Sequence, residues 1–117
     1  MRVQVYWNLH QKCWSVVSLE GHRKGRVVAH TDKVFIRDAS FVVQPAGRDR
    51  VRREKKKNVH AFVRGTWMTS LETGDGWKKI IYNPYKDESF IFSDTGHPVF
   101  AAKSVAMFGP RNVRVSL

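Results

Sequence analysis

Residues 44–65, QPAGRDRVRREKKKNVHAFVRG, change character halfway along. The first part, 47–57, has one apolar residue, Val51, among arginines, lysines and a glutamate, which are good helix formers. In the second part Val59, Ala61 and Val63 alternate with His60, Phe62 and Arg64, the period of a strand with one buried face. The rest of the chain is patterned as strands, so this helix-to-strand switch predicts an α+β protein. A helix with a single apolar side chain has no broad face to bury. It must dock through Val51 and arginine stems, or be ordered by a ligand.

The same stretch concentrates charge. Between Arg48 and Lys57, seven cations face only Asp49 and Glu54, a local charge of +5 within a chain of +11. On a helix Arg48, Arg52, Lys55 and Lys56 would share one face, with Arg53 and Lys57 beside it. Acids at helical spacing normally relieve such repulsion and are scarce here. Arginine matches phosphate oxygens with paired donors and lysine adds a mobile point charge, so a phosphate-bearing partner is expected.

Outward from this stretch the period is two. On the N-terminal side Val3, Val5 and Trp7 alternate with Arg2, Gln4 and Tyr6, and 8–12 form a hairpin loop into the β-rich run 13–19. A glycine-bounded turn at 21–25 precedes short strands at 26–30, 34–36 and 40–43, with Asp38 as a turn residue between the last two. On the C-terminal side 68–76 is a polar loop and 78–83 a strand stopped by Pro84. Residues 90–92 and 99–102 make a hairpin around Ser93-Asp94-Thr95-Gly96, and 104–108 and 112–115 close the chain. The expected fold is one compact, mostly antiparallel β domain over 1–117, meander- or barrel-like, with a short basic helix near 47–57.

Composition sets the class. A chain of 117 residues with 42% hydrophobic residues and four tryptophans can build a core. Cys13 is its single cysteine, which excludes an intrachain disulfide and fits a reducing compartment. No signal peptide and no apolar run of membrane-spanning length are visible, so no membrane partner is expected. A pI near 10.3 suits nucleic acid, a nucleotide or an acidic protein surface.

The residues expected to contact phosphates are Arg48, Arg52, Arg53, Lys55 and Lys56, with His60 and Arg64 following on the next strand. Trp77 or Tyr85 could stack a base while nearby cations hold its phosphates. The alternative is a metal-independent ribonuclease, in which His30, His60 and Lys56 would act on a 2′-hydroxyl by general acid–base chemistry. A zinc site from His10 and Cys13 with His22 or His30 has only His-x-x-Cys spacing in its favour. No Walker loop, Rossmann glycines, Gly-x-Ser-x-Gly, paired carboxylates or RNA-binding signature occurs, and nothing calls for a cofactor.

Three blocks, 6–16 (YWNLHQKCWSV), 42–65 (VVQPAGRDRVRREKKKNVHAFVRG) and 82–100 (YNPYKDESFIFSDTGHPVF), resemble a group of small, uncharacterised proteins of tailed bacteriophages and prophages. They cover about half the chain. The resemblance implies a viral protein in the cytoplasm of an infected bacterium and transfers no functional residues. The combined expectation is non-enzymatic binding of a nucleic acid or a small nucleotide signal, in host takeover or anti-defence. A small nucleotide would call for an enclosed pocket built by a homo-oligomer. A third class is an inhibitor docking on an acidic host protein.

Overall fold

A computed structural model describes residues 1–56, 59–70, 76–110 and 112–117. Its elements are β1 (Arg2–Asn8), β2 (Cys13–Ser18), β3 (Val27–Thr31), β4 (Lys33–Val43), α1 (Pro45–Glu54), β5 (Ala61–Met68), β6 (Lys78–Ile81), β7 (Ile91–Phe92), β8 (Ala101–Phe108) and β9 (Asn112–Ser116). All nine strands of the described residues join one antiparallel sheet in the order β3-β2-β1-β5-β4-β8-β9-β6-β7. The first three strands form the expected meander. The sheet is not closed into a barrel: among the described residues β3 and β7 are its two edges. No helix among the described residues is long and apolar enough to cross a membrane.

One face of the sheet is the core. Val3 and Val5 of β1, Trp14 and Val16 of β2, Val63 of β5, Val105 and Met107 of β8, Val115 of β9 and Ile80 of β6 are almost fully buried. Alternation along β1 and β9 puts their polar neighbours on the other face, as the period of two predicts, whereas β2 departs from it, with Ser15 and Ser18 both fully buried.

Residues 34–43 depart from expectation. The two short strands separated by a turn at Asp38 are a single strand, β4, with an irregularity. Its register against β5 shifts by one between Arg37 and Ser40, and Asp38 sits at φ 52. A bulge takes up the residue that looks like a turn, and it turns both Ile36 and Ala39 inward. Opposite lies Gly65. A Cβ there would stand 2.4 Å from Ile36 Cγ2 and 2.7 Å from the Arg37 carbonyl oxygen, so only glycine fits.

The hairpin expected between 90–92 and 99–102 is also revised. The turn itself forms, with Phe92 N–H donating to His97 O and Val99 N–H to Phe90 O. Beyond one bridge at Ile91 and Pro98, however, β7 pairs with β6, while the chain enters β8 beside β4. Two runs expected to be separate, 99–102 and 104–108, are largely one strand.

The helix is shorter than 47–57. Pro45, with its φ pre-set, opens the first turn, and Lys55 closes the helix in the left-handed conformation (φ 56), donating its N–H to Val51 O at 2.8 Å. Arg52 and Arg53 in the last turn complement the helix dipole. Lys55 and Lys56 therefore leave the helix, and the single face expected to unite them with Arg48 and Arg52 does not exist. Lys57 lies outside the described residues.

Candidate functional site

Because the sheet curls without closing, a cleft of about 650 Å³ remains between the ends of β1, β2 and β5 and the segment from β6 into 82–85. That volume falls within the roughly 300–1,000 Å³ of small-molecule sites. Its walls are aromatic and aliphatic, Tyr6, Trp7, Trp14, Phe62, Tyr82 and Phe90 among them, and Val51 and Lys55 bring α1 to it. Leu9, Val59, Ile81 and Tyr85 at its mouth are 37, 45, 41 and 56% exposed. They are four of the eight large apolar side chains exposed among the described residues, so the apolar surface left to solvent is concentrated here.

The lining carries few polar groups. His60 is buried, and its Nε2 shares a 2.7 Å hydrogen bond with Tyr82 Oη, the rings meeting edge to face at 5.5 Å. Tyr82 continues through Phe90 to Phe41, with centroids 5.4 and 5.2 Å apart. Burial pushes the Tyr82 hydroxyl up to about 12, against the opposing pull of the Arg48 and Arg52 guanidiniums; Asp87 adds to the rise. The phenol is therefore neutral at physiological pH. Lys55, exposed and with its backbone held by the helix C-cap, is the lysine among the lining residues.

The expected phosphate contacts divide into two groups. Arg48 and Arg52 face inward. Arg52 donates from Nε to Pro84 O and from Nη2 to Asp87 O at 3.3 Å, and Arg48 Nη1 donates to Glu88 O at 3.2 Å. These bonds clamp α1 onto the turn at 83–88, which Asn83 itself organises through the Tyr85 N–H. Arg48 Nε is buried without a hydrogen bond, 3.9 Å from the Asp49 carboxylate. By contrast Arg53, Lys55 and Lys56 are exposed, and none ion-pairs with a described residue.

Of the remaining candidates, His60 and Tyr85 join Lys55 in the cleft lining. Arg64 does not; it follows on β5 and donates from Nε to Gln4 Oε1 at 2.7 Å. Trp77 is half-buried and outside the lining. His30 lies on β3, three strand spacings or about 14 Å from β5. Its Nδ1 is 3.0 Å from Ser15 Oγ and 3.8 Å from Cys13 Sγ. The imidazoles needed for the ribonuclease reading are thus kept apart, His30 on β3 and His60 just ahead of β5, with β2 and β1 between those two strands. Among the described residues no group of three His, Cys, Asp or Glu gathers to hold a metal.

Charge does not single out Leu9 or Ile81, and Val59, expected on the buried face of the strand, instead precedes β5 and is exposed. Their signal is weak in sequence, since each is one apolar residue at the end of a strand or turn, and only the curl of the sheet assembles them.

The family model described as the Mycobacterium phage L5 gene 82 protein matches residues 1–115. The chain is 43% identical over 111 residues to the "Gene 82 protein" of Mycobacterium phage L5, covering 90% of this chain and 88% of that one. No solved structure matches. The resemblance to small phage proteins is thereby made specific: the chain belongs to the mycobacteriophage L5 gene 82 protein family.

Proposed function

We propose that the protein binds a phosphate-bearing ligand without transforming it. The ring of a nucleotide lies against the aromatic cleft, and its phosphate meets Lys55, Lys56 and Arg53. One observation carries this reading: an apolar, aromatic-walled cleft whose lining includes the exposed Lys55 and the exposed ring of Tyr85. Apolar walls with a few placed polar groups suit a flat heterocycle, and the exposed cations suit its charged end. The chemistry of the site is that of a holder. His60 is committed to Tyr82, and no second imidazole shares the cleft lining. In the cytoplasm of an infected bacterium, such a ligand would be a nucleic acid or a nucleotide signal of host defence, and holding it would serve host takeover or anti-defence.

The test begins with protein purified from bacteria: the 260/280 absorbance ratio, then mass spectrometry of whatever acid or heat releases. A nucleotide or oligonucleotide is expected. Its affinity should fall in Lys55→Ala/Lys56→Ala, whose stability should match the parent within about 0.5 kcal/mol, as for surface substitutions generally. Protein free of nucleotide, with no affinity for nucleotides or oligonucleotides added back, would overturn the reading and favour an acidic host protein as the partner.

A further inference from the structure

The outer face of the sheet gathers a second set of cations, from five strands scattered through the chain. Arg2 of β1 and Arg37 of β4 both pair with Thr66 of β5, so the three side chains stand in one row. Arg64 is one register step away on β5, between Gln4 and Ser40. In the other direction Arg37 pairs with Ser104 of β8, which pairs with Ser116 of β9. One step further, Arg114 of β9 pairs with Lys79 of β6. Their neighbours Val3, Val63, Ile36, Val113, Val115 and Ile80 are buried on the opposite face, so these five cations point outward.

The cations form a diagonal stripe. With strands about 4.8 Å apart and register steps of about 6.7 Å, Arg64 is about 8 Å from Arg2 and from Arg37. Arg37 is about 12 Å from Arg114, and Arg114 about 5 Å from Lys79. From Arg64 to Lys79 the stripe runs roughly 23 Å over the surface. Arg2, Arg37, Lys79 and Arg114 are exposed, and none of the five ion-pairs with a described residue. No acid occupies these rows; Asp38 at the bulge stands beside them. Between the cations lie Thr66, Ser40, Ser104 and Ser116, small hydroxyl side chains that allow close approach and offer further donors.

The stripe also meets the cleft. Tyr6 and Phe62 lie two residues from Gln4 and Arg64 on their strands, hence on the same face. Both line the cleft, and they pair edge to face at 6.2 Å. A single phosphate would engage two of these cations at most. A chain of regularly spaced anions would engage all five.

We infer that the ligand is a polymer: single-stranded nucleic acid with one base in the cleft and its phosphodiester backbone running over Arg64, Arg2, Arg37, Arg114 and Lys79. This rests on the nucleotide-binding reading above. It makes the outer face sequence-independent, because backbone contacts position a strand without reading it.

The experiment compares a mononucleotide, a dinucleotide and a 12-residue oligonucleotide on wild type and on Arg37→Gln/Arg114→Gln, by fluorescence titration from 50 to 300 mM salt. For a single strand each lost phosphate contact lowers the slope of log K against log salt by about 0.7, so the double variant should lose about 1.4. Carried from 1 M, where such terms vanish, to 0.1 M, that is roughly a 25-fold loss in 12-mer affinity. Mononucleotide affinity should not change. If the 12-mer binds no tighter than the dinucleotide, or the variant keeps the parental slope, the stripe is a solvated face and the inference falls while the cleft reading stands. If no length binds wild type, both fall. Circular dichroism and melting of the variant confirm that any loss arises in a folded protein.

Discussion

Replacing Arg52 by alanine should unfold the protein more than it weakens a ligand. The guanidinium donates to two backbone carbonyls, those of Pro84 and Asp87, and Arg52 is half-buried. A hydrogen bond from a charged donor contributes about 1.5–3 kcal/mol, the lower end applying to a half-buried group, and the 3.3 Å bond less than the shorter one. Together they amount to about 2.5 kcal/mol. Unfolding entropy near 60 °C is about 2.1 cal/mol/K per residue, or about 0.25 kcal/mol/K for a chain of this length, so the loss corresponds to a fall in Tm of about 10 °C. Urea and thermal denaturation of Arg52→Ala, Arg52→Lys and Lys56→Ala would measure it. Arg52→Lys keeps the charge but lacks the planar fork, so it should recover little. Lys56→Ala should melt with the parent. Were Arg52→Ala to melt like wild type and bind its ligand more weakly, the arginine would be a phosphate contact and the clamp reasoning would be refuted.

Gly65→Ala should cost about 3 kcal/mol, the upper end for overpacking, because its Cβ would meet both Ile36 and the Arg37 carbonyl below 3 Å; the shift in urea midpoint reads this directly. Tyr82 carries a hydroxyl whose folded value, about 12, exceeds its ordinary 10.0. The folded state thus holds the proton more tightly, and stability is lost as pH rises from about 10 to about 12. Tyr82→Phe should flatten that limb of the stability–pH curve relative to wild type, and an unchanged limb would count against it. Lys55→Gly should raise stability by about 0.5–1 kcal/mol by relieving a left-handed lysine, while lowering ligand affinity measured by titration.

The strands are legible because their side chains alternate against one core: Val3, Val5 and Trp7, or Val113 and Val115, announce their faces locally. Asp38 misleads because a residue at positive φ looks the same in sequence whether it ends a strand or bulges one. The helix is found from its helix formers, but its last turn is not, since nothing local marks Lys55 as the residue that turns left-handed. The division of labour among the arginines is hidden for a different reason. The carbonyl partners of Arg48 and Arg52 lie more than thirty residues away, in a turn whose position depends on β6 joining β9. Arg2, Arg64 and Arg114 can each be assigned outward by alternation. That they share one surface follows only from the strand order, which no local pattern contains.

The path from β4 to β5 has a consequence for how this family can vary. Val43 and Ala61 are cross-strand partners, so α1 lies within a connection that hairpins elsewhere make with two residues. Gln44 N–H still donates to His60 O at 2.8 Å, so it is the residues between them, 45–59, that the sheet's own pairing does not require. Closing the longer loop in place of a two-residue one costs only about 2 kcal/mol of chain entropy. The basic segment is therefore an insertion into the sheet, tied back to it through buried Val51 and the Arg48 and Arg52 clamp on 83–88. An insertion placed this way can change in length and charge without altering the strand register, while the sheet behind it stays under a separate constraint, its own packing.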